Sequence, residues 1–224
     1  MLHTLKKRLF FILARYFSFW AKIVLKRWKP RVIVVTGSSG KTTTLHLVEA
    51  QLGAKAVYSH YANSAYGVPF HILGMNPNVK SKAHWVVYLL LAPLKVFRKL
   101  PKTKLYVVES DCDRPGEGKF LSRLLQPEVT IWVSVFRTHS MNFDGLVSSK
   151  KFATHELAIA HEFGFFAEAT KKLVIANGKQ PEIANELKRV SQGVLVKIAS
   201  VDNVAKYKIT EDSTSFDING QEVN

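Results

Sequence analysis

Residues Val32–Thr44 read VIVVTGSSGKTTT, and no other stretch restricts the fold as strongly. Val32 to Val35 are all β-branched, which predicts a buried strand. Gly37 breaks that strand into a turn of small residues. Lys41-Thr42-Thr43-Thr44 then opens a helix that continues LHLVEAQL. A strand, the loop Gly37-Ser38-Ser39-Gly40, Lys-Thr and a helix together build a phosphate-binding loop. Glycines let backbone N–H groups face phosphate oxygens, and the helix N-terminus adds partial positive charge. In such a loop Lys41 serves the β- and γ-phosphates, while the Thr42 hydroxyl is placed for Mg²⁺. The full pattern would need Gly where Val35 stands, so this loop is a shortened form. A nucleoside triphosphate is the expected ligand.

TGSSGKTTT resembles the ATP loop of the Mur ligases, the ATP-dependent amide-bond-forming enzymes of peptidoglycan assembly. Three further blocks resemble the same family in the same order. Asn63–Phe70 (NSAYGVPF) resembles its N-x-x-x-G-V-P block. Glu109–Glu117 (ESDCDRPGE) resembles the E-x-G-x-x-x-P-G-E block of the D-alanyl-D-alanine-adding branch, with Asp111 where Gly is usual. Pro127–Thr130, running on to Thr138-His139, resembles the strand that leads to a His. The resemblance spans Val32–His139 and thins toward Asn177.

That resemblance implies ATP and magnesium as cofactors. Thr42, Glu109 and His139 would serve the metal, although His139 has a second reading, acting through water or orienting an acyl phosphate, because magnesium seldom takes imidazole. Gly37, Ser38, Ser39, Gly40, Lys41, Thr42 and Thr43 would hold the nucleotide. Asn63 would lie near the γ-phosphate and substrate, with Lys41, Asn63 and His139 as the catalytic set. Asn177 would end the next strand near the nucleotide, where Lys179 replaces the usual acid two positions later. Pro115-Gly116 reads first as a turn, and Asp111, Asp113 and Glu117 second as substrate or metal contacts. The implied reaction forms an acyl phosphate that an amine then displaces. Many relatives carry a carbamylated lysine in an A-K-x-E-[IL] stretch. Ala153–Leu157 resembles it, but Thr154 stands in the lysine's place and cannot form a carbamate; Lys150 or Lys151 would have to serve instead, or the second metal site is altered.

Family members also carry an N-terminal UDP-sugar domain and a C-terminal amine-binding domain, for which the sequence shows no room. The expectation is a truncated ligase, or a subunit that a partner completes, acting on a cell-wall precursor peptide or lipid-linked precursor. Two rivals stand beside it. One is a nucleotide-binding membrane scaffold without catalysis; the other is a small-molecule kinase, which explains the loop but not the other blocks.

The net charge of +15 is unevenly placed. Lys6, Lys7, Arg8, Arg15, Lys22, Lys26, Arg27, Lys29 and Arg31 occur before any Asp or Glu. Arg8, Arg15, Lys22, Lys26 and Lys29 share one helical face, and Leu9, Leu13, Phe17, Trp20, Val24 and Trp28 share the other. Residues 1–30 are therefore read as a basic amphipathic helix. It lies either on an anionic inner leaflet or against its own domain or a partner. Its uncharged runs are too short to span a bilayer, and no cleavage site marks a secretory signal. No nucleic-acid recognition motif accompanies the charge, so no nucleic-acid partner is expected. The apolar run Trp85–Leu94 is likewise open between a core helix and a second membrane contact. A single cysteine, Cys112, excludes an intrachain disulfide framework and fits a reducing, cytoplasmic compartment, peripheral at the inner membrane face.

Residues 31–224 read as one ATP-binding α/β domain. The expected strands are Val32–Val35, Ala56–Ser59, Leu105–Glu109, Val129–Val135, Lys172–Ala176 and Gly193–Ile198. Between them fall helices at Thr42–Leu52, Lys119–Leu125, Lys150–Ala169 and Gln180–Val190, and Pro69–Leu73 opens a helix or turn. Such alternation predicts a P-loop-type, mostly parallel sheet flanked by helices. Ala205–Ile209 and Thr214–Ile218, with a tight turn at Asn219-Gly220, predict a β-hairpin-like end.

Overall fold

A computed structural model describes residues 2–60, 62–75, 82–200, 204–210, 214–218 and 221–223. The chain opens with α1 (Leu2–Trp28), β1 (Arg31–Thr36), α2 (Lys41–Leu52), β2 (Val57–Ser59), α3 (Gly67–Leu73) and α4 (Lys82–Lys95). Next come β3 (Leu105–Ser110), α5 (Glu117–Leu125), β4 (Val129–Trp132), the short α6 (Asp144–Ser148) and α7 (His155–Ala169). β5 (Leu173–Asn177), α8 (Pro181–Glu186) and β6 (Leu195–Ala199) precede β7 (Val204–Ile209), β8 (Thr214–Ile218) and β9 (Gln221–Val223).

Strands β1 to β6 form one sheet in the order β2-β3-β1-β4-β5-β6, and all neighbours run parallel. The chain leaves β1 for the edge at β2, returns through β3, and crosses to β4 on the other side. The crevice at the carboxyl ends of β1, β3 and β4 is thus the switch point where open α/β sheets place ligands. Alternation along β1 divides the core. Val32 and Val34 join the larger cluster with Tyr106 and Val108, under α1, α3, α5 and α7. Val35 faces the other way, into a smaller cluster with Val107 and Leu45 of α2.

The apolar stripe of α1 is spent inside the protein. Ala14, Phe17, Ala21, Val24 and Trp28 are buried at a 3-4 spacing that follows one helical face. Phe17 meets Phe70 of α3 edge-on at 4.6 Å, and the Trp28 indole N–H donates to the Thr103 carbonyl at 2.7 Å. α4 lies against α1 and continues through Pro93, which has no N–H to offer the Leu89 carbonyl one turn earlier. The Tyr16 hydroxyl of α1 donates to that carbonyl instead, at 2.6 Å. Among the described residues, no helix is long and apolar enough to cross a membrane.

Three expected elements are shorter than their sequence suggests. β4 stops at Trp132 rather than Val135, because the next residues turn to bond the β1–α2 loop. α7 begins at His155, not Lys150, because the Thr154 hydroxyl accepts the Leu157 N–H at 3.2 Å and caps the helix. Gln180–Val190 divides into α8 and a short 3₁₀ turn at Leu187–Arg189. The end of the chain is antiparallel as expected, β7 with β8 and β8 with β9. The turn at Asn219-Gly220 lies outside the described residues.

α5 and α7 approach so closely that Gly118 admits no side chain. A Cβ there would lie 2.0 Å from the Glu162 carbonyl oxygen and 3.0 Å from Cys112 Sγ. Gly118→Ala is expected to lower unfolding free energy by about 2–3 kcal/mol in urea titrations. A loss below about 0.5 kcal/mol, the range of a neutral surface change, would contradict this packing.

Candidate active site

The β1–α2 loop is held open by glycine and stitched down by serine. Gly37 has φ 134°, and a Cβ on it would stand 2.8 Å from both the backbone N and O of Ser134. The Ser38 N–H donates to the Ser134 carbonyl at 3.0 Å, and the Ser38 hydroxyl bridges Phe136, donating to its carbonyl and accepting its N–H. The Ser39 N–H donates to Ser134 Oγ at 3.0 Å, and that hydroxyl donates to the Ser39 carbonyl at 2.9 Å. Ser39, Gly40 and Thr43 are exposed at the mouth of the crevice. Ser134 and Phe136 were not anticipated as loop partners, because the sequence placed Val129–Val135 in a strand. The block running to His139 was the available signal.

Four predicted residues converge here. Thr42 Oγ1 donates to Glu109 Oε2 at 2.8 Å, and Asn63 Nδ2 donates to Glu109 Oε1 at 3.2 Å. Asn63 is fixed in turn by the Asp111 N–H, which donates to its carbonyl at 2.8 Å. Lys41 is buried, and its Nζ lies 2.8 Å from Asp111 Oδ2 and 3.3 Å from the Ser38 carbonyl. Asp111, which stands where the resembled block has Gly, thus pairs directly with the loop lysine.

Magnesium fits this donor set. Glu109 is 3% exposed, and both hydrogen bonds to its carboxylate come from neutral groups. A dication would offset the desolvation of that charge. Thr42 and Glu109 supply the hard oxygens it prefers.

His139 and Asn177 stand further off. His139 has φ 51°, is largely exposed, and its Nε2 lies 3.5 Å from Asp113 Oδ1. Its ion-pair partner is Asp113 rather than Thr42 or Glu109. Asn177 ends β5, as expected, and donates from Nδ2 to the Val133 carbonyl at 3.1 Å while accepting the Lys179 N–H. It braces the strand end that carries Ser134. Thr154 is a helix cap, and Lys150 and Lys151 are exposed.

Buried carboxylates set the segments around the site. Glu162 of α7 accepts the N–H groups of Gly116 and Gly118 at the start of α5. Glu117 accepts the Ala65 N–H at 2.7 Å and the Asp113 N–H at 3.1 Å, linking the Asn63 segment to the acidic loop. Burial pushes the Glu117 carboxyl up to about 7 and raises that of Glu162. A carboxyl raised in the folded state contributes stability that is complete below its unfolded value, near 4.5, and lost as pH climbs through about 7. For Glu117 this is on the order of 3 kcal/mol. Glu117→Gln is expected to flatten the fall in urea stability between pH 4.5 and 7, and to cost about 1–3 kcal/mol at pH 5 because one amide loses its acceptor. Identical pH slopes in the two proteins would contradict the role assigned to Glu117.

Comparison with known proteins agrees with this fold. The Mur ligase middle domain matches residues 35–223. The UDP-N-acetylmuramoyl-tripeptide–D-alanyl-D-alanine ligase of Bacillus subtilis is 27% identical over 136 residues, covering 58% of this chain and 24% of the relative. The chain thus spans about a quarter of that relative's length. MurF from Acinetobacter baumannii superposes with a TM-score of 0.59 at 19% identity, over 91% of this chain and 38% of that one. E. coli FolC, solved with DHPP and ADP, gives a TM-score of 0.53 at 17% identity, over 91% of this chain and 51% of that one. At these identities the two structures show a shared fold. With the family match covering most of the chain and the loop, Asn63 and Glu109 gathered in one crevice, this chain belongs to the Mur ligase middle-domain family.

Proposed function

We propose that the chain carries the ATP-dependent, carboxylate-activating step of a ligase that forms amide bonds in peptidoglycan peptide. The observation that supports this best is the convergence of Lys41, Thr42, Asn63 and Glu109 at the sheet's switch point. In this reading a substrate carboxylate oxygen attacks the γ-phosphorus. The bond to the β,γ-bridging oxygen breaks, ADP leaves, and an acyl phosphate forms. An amine then attacks the acyl carbon, loses its proton to solvent or a base, and inorganic phosphate departs. Lys41 neutralises and orients the phosphates. Thr42 and Glu109 would hold magnesium, whose charge would further neutralise the nucleotide. Asn63, fixed on Glu109, is placed to position the γ-phosphate or the carboxylate, and His139 to orient the substrate from the Asp113 side. The carboxylate substrate is a soluble or lipid-linked cell-wall precursor peptide on the cytoplasmic side. The amine comes from a site that another domain or subunit completes.

Hydroxylamine trapping tests this. With MgATP and muropeptide carboxylates, the expected products are ADP and a hydroxamate. Nucleotide binding with neither product would overturn the ligase reading in favour of a nucleotide-binding scaffold.

A further inference from the structure

We infer that the neighbouring outer faces of α1 and α4 form one docking surface for an anionic lipid bilayer. The sequence nominated the α1 stripe of Phe17, Val24 and Trp28 for such a role, and those residues are in the core. What α1 turns outward is different. Ile12 and Phe19 are more than half exposed, and Arg15, Lys22 and Lys26 are exposed beside them. Ile12, Arg15, Phe19, Lys22 and Lys26 succeed one another at intervals of three and four, which places them on one helical face.

α4 supplies the larger apolar part. Val86, Leu90, Leu94 and, just past the helix, Phe97 follow the same spacing and are 58%, 70%, 65% and 80% exposed. They adjoin α1 because α4 rests on it, through Tyr16 to Leu89, Phe17 against Trp85 at 6.1 Å, and the Arg27 guanidinium on the Val96 carbonyl. Isolated apolar side chains on a surface are ordinary; an aligned row of four beside a second pair is not.

Charge identifies the occupant. Glu49 is the only carboxylate among residues 1–108, so neither helix carries an acidic side chain. Lys99 and Lys102 are exposed just after the Phe97 end of the row. An apolar ridge bordered by cations alone matches a leaflet of negative headgroups over hydrocarbon. Lys and Arg near such a surface are attracted to its headgroups, and Leu and Phe side chains that enter the hydrocarbon leave water. Arg15 and Lys22 interrupt α1, and α4 has 14 residues, so both lie on the surface rather than cross it.

Co-sedimentation of the full chain with vesicles tests the inference, independently of the nucleotide site. One set is phosphatidylcholine alone; the other adds phosphatidylglycerol. The chain is expected to pellet with anionic vesicles and to be released by salt. Leu90→Gln/Phe97→Gln, both exposed, should lower binding about tenfold or more while circular dichroism stays unchanged. Arg15→Gln/Lys22→Gln/Lys26→Gln should cost about as much at low salt. Equal binding to both vesicle sets, no binding, or binding that neither variant alters would overturn the inference. So would self-association in solution that Leu90→Gln/Phe97→Gln abolishes, because the face would then be a protein interface.

Discussion

Replacing Lys41 by Met is expected to weaken ATP binding about 100- to 1,000-fold and to remove turnover. The loop presents its phosphates with one buried ammonium, Lys41 Nζ, beside backbone donors at the α2 N-terminus. Charge-assisted contacts of this kind cost about 3–4 kcal/mol when truncated, which converts to that fold-change. A complication is built into the site, because Asp111 loses its partner at the same time. A buried carboxylate left alone is destabilising by about 3–5 kcal/mol, so a single variant could fail for want of a fold. Lys41→Met/Asp111→Asn removes both charges and separates the effects. It should unfold close to wild type in urea and bind ATP at least 100-fold more weakly than Asp111→Asn alone, which keeps the lysine. Affinity in that folded double variant equal to that of Asp111→Asn would remove Lys41 from the nucleotide site.

Asp111→Asn alone is expected to move affinity and stability in opposite directions. Asp111 holds Lys41 at 2.8 Å, with both side chains largely shielded. A phosphate group must take the ammonium over from this carboxylate and tolerate its negative charge nearby. Two like charges about 5 Å apart repel by about 3 kcal/mol at the effective dielectric of such sites. Removing one should strengthen ATP binding about 10- to 100-fold, most of all at low magnesium, where no cation screens the pair. Stability should fall, because Lys41 is then buried without a counter-charge. Isothermal titration across a magnesium series, paired with urea unfolding, reads both. Weaker binding in Asp111→Asn at all magnesium concentrations would instead make Asp111 a nucleotide or metal ligand.

The sequence made the site's first layer legible because local chemistry dictated it. A β-branched strand, a turn with positive-φ glycine and Lys-Thr at a helix start leave little choice of structure. The position of Glu109 followed from a strand end. Long-range partners were less legible. Ser134 and Phe136 bond the loop only because β4 ends at Trp132, and a run of β-branched and apolar residues does not announce where pairing stops. Thr154 looked like a lost lysine; in the fold it caps α7. The stripe on α1 was read correctly as amphipathic, but periodicity reports that a face is apolar, not what covers it. Here the cover is α3 and the core, and the exposed apolar row falls to α4, where Tyr16 satisfies the carbonyl that Pro93 leaves open. Asp111 was visible only as a departure, and its pairing with Lys41 required the two strands' relative height.

A crystal structure of the chain with a non-hydrolysable ATP analogue and magnesium tests the central claim most directly. Lys41 Nζ should have left Asp111 for the β- and γ-phosphate oxygens, with the metal on Thr42 Oγ1 and on Glu109 directly or through water. A nucleotide bound elsewhere, with the Lys41–Asp111 pair intact and the loop unaltered, would contradict it.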